Sequence, residues 1–130
     1  MSLSRAQILQ AKDIATESVV VPEWGDVVLV RGLTGRERDQ YEGAMVRMYG
    51  THATLNRDNF RARLVVLAAV DDQGERLFSD ADIPALAEKS SSALSRLFDV
   101  AARLSGITES DIGELEKNSV SSQGVGNGST

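Results

Sequence analysis

Apolar positions open the chain sparsely: Leu3, Ile8, Leu9 and Ile14 stand among polar neighbours at a spacing that fits a helix only loosely, so residues 1–16 read as a lead-in arm. Two β-branched runs follow, Val19 to Val21 and Val27 to Val30, on either side of Pro22-Glu23-Trp24-Gly25-Asp26. That pattern predicts a β-hairpin over 17–31, with Pro22 at a strand end because it cannot donate a ladder hydrogen bond. Gly32 breaks the second strand. Thr34-Gly35-Arg36-Glu37 has the form in which Thr and Glu side chains each satisfy a free N–H at a helix start, and a helix over about 35–48 is predicted behind it. On this helix Tyr41, Ala44, Met45 and Met48 fall at i, i+3, i+4 and i+7, with Arg36, Arg38 and Glu42 off the stripe.

Gly50 and Thr51 are expected to end that helix, and 52–56 to form a polar linker. Phe60, Leu64, Leu67 and Ala68, widened by Val65 and Val66, predict a deeply buried helix over 58–70. After the turn at 71–74, Ser79-x-x-Asp82 resembles a capping box ahead of a helix over 80–89, where Pro84 suits the first turn. Leu94, Leu97, Phe98, Ala101 and Leu104 predict a helix over 91–105, stopped by Gly106. A short acidic helix over 109–117 and a disordered Ser/Gly tail over 118–130 complete the reading. The expected fold class is mainly α (α+β): one domain over 1–117, with an N-terminal β-hairpin followed by a bundle of about five helices.

Composition supports the helical emphasis, because aromatics make up only 5% of the chain against 42% hydrophobic residues, leaving Leu, Val, Ile and Ala to pack the core. A length of 130 residues suits one core. The formal charge of -5 argues against a general nucleic-acid binder, since a phosphate backbone rewards excess Lys and Arg. The charge is uneven: residues 1–65 carry nine basic and eight acidic side chains, residues 66–130 five and eleven, an asymmetry a partner could read. Without cysteine there is neither a disulfide nor a thiolate metal site, and no run approaches a membrane span or a signal peptide.

No catalytic, cofactor or metal residue is assigned. His52 is the one histidine, and no Gly-x-Ser-x-Gly elbow accompanies it, so a surface role is expected. Asp71, Asp72, Glu75, Asp80 and Asp82 do not follow an EF-hand spacing and read as a solvated turn and a helix cap. Gly32-x-x-Gly35 lacks the ending of a phosphate loop. The arginines between 31 and 63 are interleaved with acids, as ion pairs on a wet face would be. Candidate partner-binding residues remain. Trp24 either caps the core or anchors a partner. Tyr41, Met45 and Met48, flanked by Arg36 and Arg38, form either an adaptable groove or a core stripe. Under the groove reading Met45→Asp leaves a folded protein; under the core reading it does not.

Three stretches, VVVPEWGDVVLVRGLTGRERDQYE, RLVVLAAVDDQGERLFSDADIPAL and KSSSALSRLFDVAARLSGITESDIGELEKN, resemble the tail assembly chaperones of long-tailed phages and of prophages derived from them, over about residues 8–118. The most distinctive pieces are the Pro22-Glu23-Trp24-Gly25 turn, the Leu33 to Glu37 helix start, and Asp72-x-Gly74 leading to Leu77-Phe78-Ser79. The resemblance implies a non-catalytic protein of the host cytoplasm that binds the tape-measure protein, keeps it soluble, helps recruit the tail-tube protein, and is absent from the mature virion. It also leaves room for a homo-oligomer and for a longer frameshifted form attached after Asn118. The alternative is a structural head-tail connector or minor tail component, against which the scarcity of predicted strands counts.

Overall fold

The two β-branched runs pair with each other. In the computed structural model, which describes residues 1–108, β1 (Thr16–Val21) and β2 (Asp26–Arg31) form an antiparallel hairpin in which Val19 faces Val28 and Val21 faces Asp26. A 3₁₀ turn at Pro22–Trp24 joins them, closed by Gly25 at φ +95°, a left-handed conformation that glycine adopts at little cost. Alternation along the strands buries Val19, Val21 and Val30 and turns Val20 and Val27 outward.

Hydrogen bonding extends the sheet beyond the hairpin. The buried helix α3 (Phe60–Ala68) stops two residues earlier than the sequence predicts, and Ala69–Val70 becomes β5, which pairs antiparallel with β2 to give a three-stranded sheet in the order β1-β2-β5. A second correction lies in the segment before α3. Helix α2 (Gly35–Ala44) ends four residues before the expected 48, and what read as helix end and polar linker is a hairpin of β3 (Val46–Tyr49) and β4 (His52–Leu55). Gly50 takes φ +64° in the two-residue connection, matching hairpin turns that place glycine first. The fold is therefore α+β, with a three-stranded antiparallel sheet, a two-stranded sheet and five α-helices among the described residues, not a mainly helical bundle.

The remaining helices are α1 (Arg5–Gln10), α4 (Ile83–Ala87) and α5 (Ser91–Leu104). Sequence reading missed α1, although Ser4 and Gln7 form a capping box: the Gln7 N–H donates to Ser4 Oγ at 3.2 Å and the Ser4 N–H to Gln7 Oε1 at 2.8 Å. Helix α3 is apolar nearly all round, as a central helix should be, with Ala62 and Leu64 to Ala68 buried. Helix α5 is amphipathic and packs Ala93, Leu94, Leu97 and Ala101 against α3 and the inner face of the hairpin. Leu64 and Leu97 are wholly buried, each worth about 1.5–3 kcal/mol relative to exposure. Phe60 and Phe98 add an edge-to-face contact between the two helices at 5.4 Å. The helix predicted over 109–117 and the tail over 118–130 lie outside the described residues.

Where β2 leaves the sheet the backbone of Gly32 approaches α5 so closely that a Cβ there would stand 2.7 Å from the Leu104 carbonyl oxygen. Gly32→Ala should therefore destabilise the protein by about 1–3 kcal/mol through forced separation of hairpin and helix. A lower denaturation midpoint at unchanged denaturant slope is the expected reading.

Candidate functional site

The sequence-predicted stripe on α2 does not form one face. Tyr41 is buried and its hydroxyl donates to the Phe60 carbonyl at 3.2 Å; burial pushes the phenol pKa upward. Met45, just past the end of α2, is 1% exposed and among the largest fully buried side chains. Met48, by contrast, sits on β3 and is 60% exposed. Ending the helix at Ala44 breaks the 3.6-residue register that would have aligned Met48 with Tyr41 and Met45. Arg36 is exposed on the first turn of α2, and Arg38 is half-buried with its Nε 3.1 Å from Glu42. Trp24 is half-buried at the hairpin tip and packs against the core, where the Glu23–Arg96 ion pair ties the tip to α5. Two N–H groups of Arg96 donate to Glu23 at 2.9 and 3.1 Å and hold that carboxyl at a pKa of about 2.

A buried charge pair lies under the start of α2. Arg31, at the end of β2, donates from both terminal nitrogens to the two Glu37 oxygens at 2.8 Å each. Glu37 also accepts from the Thr34 N–H at 3.0 Å, while Thr34 Oγ1 accepts from the Glu37 N–H at 3.2 Å, completing the capping box read from the sequence. The Arg31 hydrogen bonds, together with the Thr34 cap, hold the Glu37 carboxyl at about 2 instead of 4.5 although burial opposes that shift. Glu37 is thus 7% exposed, the buried charged residue among the described residues, and its bonds join the end of β2 to the first turn of α2.

The acidic residues between 71 and 82 have other tasks. Asp71 Oδ1 accepts from the N–H groups of Gln73 and Glu75 at 2.8 and 3.0 Å, Asp80 lies 3.3 Å from Arg76, and Asp82 accepts from the Ser79 N–H at 2.9 Å. No group of three His, Cys, Asp or Glu side chains arranged for a metal occurs among the described residues. His52 is exposed on β4. No described helix is long and apolar enough to cross a membrane.

The surface instead offers unpartnered apolar side chains. Residues 1–16 are exposed throughout, and the arm carries Leu3, Ile8, Leu9 and Ile14, with Leu9 66% exposed. Helix α1 buries nothing of its own, and a six-residue helix is marginal in water without a surface to pack on. On the outer face of the hairpin Val20 and Val27 stand directly opposite each other, 63% and 47% exposed. The arm was visible in the sequence as scattered apolar residues; the missing signal was the Ser4-x-x-Gln7 cap, which groups Ile8 and Leu9 on one short helix.

No curated protein matches the sequence significantly. The solved structure of the bacteriophage HK97 tail assembly chaperone matches this fold with a TM-score of 0.54 at 22% sequence identity, covering 76% of this chain and 94% of that one. The family model described as phage tail assembly chaperone matches residues 3–118. Because that match spans most of the chain, from the exposed arm to beyond the last described helix, the chain belongs to the phage tail assembly chaperone family.

Proposed function

We propose that the protein acts in the host cytoplasm without catalysis, binding the tape-measure protein, keeping it soluble, and helping to bring tail-tube subunits to it before leaving the assembled tail. The observations that support this reading are the exposed apolar arm with its short capped helix and, separately, the outward apolar pair on the hairpin. A partner made of long amphipathic helices carries apolar stripes that must be shielded until assembly, and an amphipathic segment can lay its apolar face against such a stripe. Met48 and the exposed part of Trp24 extend the contact surface, Arg36 and Arg38 supply a polar rim, and Tyr41 and Met45 act from beneath by fixing α2.

Replacing Ile8 and Leu9 together with aspartate should change the unfolding free energy by no more than the range of surface substitutions, about 0.5 kcal/mol each, because neither side chain is buried. The same double variant should lose most of its capture of co-expressed tape-measure protein in a pull-down. Full capture by the variant would remove the arm from the contact surface.

A further inference from the structure

Two apolar surfaces stand open on this chain, and their chemistries match. The first is the outward face of the hairpin, where Val20 and Val27 lie opposite each other and the next outward pair is Ser18 and the half-buried Leu29. Its rim is acidic. Asp26 opens β2 beside Val27, and the chain leaves β5 at Val70, opposite Leu29, running toward the same end of the sheet through the turn that holds Asp71, Asp72 and Glu75. The second surface is α1. Ile8 and Leu9 follow Arg5 by three and four residues, so the two apolar side chains and the guanidinium share one face of the helix. Residues 1–12 carry Arg5 and Lys12 and no acid; Asp13 is the first acidic side chain.

The course of the chain keeps these surfaces apart within one molecule. β1 begins at Thr16, paired with Arg31 at the end of the hairpin away from its tip, and Val20 lies about 13 Å further along the strand. The Ala15 carbonyl already accepts from the Gly32 N–H at 3.0 Å, prolonging the line of the strand backwards, and residues 11–15 run without a turn or bend and without glycine or proline. Helix α1 therefore projects beyond the open end of its own hairpin and buries none of its side chains there. We propose that it lies on the hairpin of a second copy of this chain, with Ile8 and Leu9 against Val20 and Val27 and with Arg5 and Lys12 toward Asp26 and Asp72. Opposite charge at the rim sets the orientation. A two-fold pair makes the same contact twice, and once one arm is seated the second binds at an effective concentration on the order of millimolar, so two weak contacts sustain each other. The consequence is that the apolar arm and the apolar hairpin face shield one another between copies, and a partner that takes the arm must displace a neighbour's hairpin.

The sequence has no cysteine, so introduced pairs report contacts without background. Full-length Leu9→Cys mixed with Val27→Cys in a glutathione redox buffer should give a disulfide-linked heterodimer, since the bond forms only where the two Cβ atoms come within about 4.5 Å. Leu9→Cys mixed with Met48→Cys, exposed on β3, should not. A chain carrying both Leu9→Cys and Val27→Cys should give a covalent dimer. In analytical ultracentrifugation the wild type should show a monomer–dimer equilibrium that Arg5→Glu/Lys12→Glu shifts toward monomer by on the order of tenfold. An internally bridged monomer from the double-cysteine chain would overturn the proposal and seat the arm on its own hairpin. A wild type that stays monomeric at every concentration, or cross-linking no greater than with Met48→Cys, would overturn it as well. All of these measurements use the chain alone, so their outcome is independent of its action on the tape-measure protein.

Discussion

Met45→Asp should abolish the folded state. The side chain is 1% exposed and lies within the cluster formed by α2, α3 and the sheet, so an aspartate there has no water and no designed partner. A lone buried carboxylate avoids its full desolvation cost only by taking up a proton, and the neutral acid still lacks hydrogen bonds and leaves the methionine volume unfilled. Together these effects exceed about 4–5 kcal/mol, comparable with the whole stability of a domain this size. Circular dichroism should show loss of the cooperative thermal transition. Met48→Asp, three residues on and 60% exposed, should change stability by no more than about 0.5 kcal/mol. If Met45→Asp melts like the wild type, the placement of α2 on the core is wrong.

Glu37→Ala should be the second most damaging single change. It leaves the largely buried Arg31 guanidinium without its bidentate partner and removes half of the capping box, and breaking a buried pair from one side typically costs about 3–5 kcal/mol. Glu37→Gln keeps an acceptor for the Thr34 N–H and should cost less. The pH dependence has a definite sign. Since the folded-state pKa of Glu37 is depressed to about 2 from 4.5, its contribution is fully present above 4.5 and is lost as pH falls toward 2. The stability gap between wild type and Glu37→Gln should therefore narrow across that interval. Comparing the two proteins cancels the similar depression of Glu23, which both retain. A gap constant from pH 6 to pH 2.5 would contradict the ion pair.

Local chemistry made much of the fold legible. The hairpin followed from two β-branched runs around a Pro-Glu-Trp-Gly turn, α5 from its 3.6-residue periodicity, and α3 from Phe60, Leu64, Leu67 and Ala68 at helical spacing within a dense apolar run. The start of α2 was marked by Thr34 and Glu37. Its end was not, because Tyr41, Ala44, Met45 and Met48 happen to satisfy helical spacing even though the chain turns at Met45 into a strand. The competing signal was Gly50-Thr51 between two four-residue segments, which suits a two-residue hairpin connection. Strand β5 is two residues long and exists because β2 offers a free edge, a long-range fact that no local pattern carries.

The same division holds for the candidate surface. Periodicity grouped Tyr41, Met45 and Met48 but could not separate the buried pair from the exposed residue, since that depends on where the helix stops. The Glu23–Arg96 and Glu17–Arg103 pairs, which fasten the hairpin to α5, join residues 73 and 86 positions apart and were beyond sequence reading. Arg31 and Glu37 could be named individually from the sequence, but their pairing requires the tight path from Gly32 to Thr34 that returns β2 to the first turn of α2.

The most direct test of the chaperone reading is co-expression of this protein with the tape-measure protein encoded by the same phage or prophage, followed by affinity purification and measurement of the soluble tape-measure fraction. The account predicts a soluble complex and a tape-measure protein that precipitates when expressed alone. A tape-measure protein that stays equally insoluble in the presence of this chain, with the chain recovered instead in purified particles, would contradict it and identify a structural component of the tail.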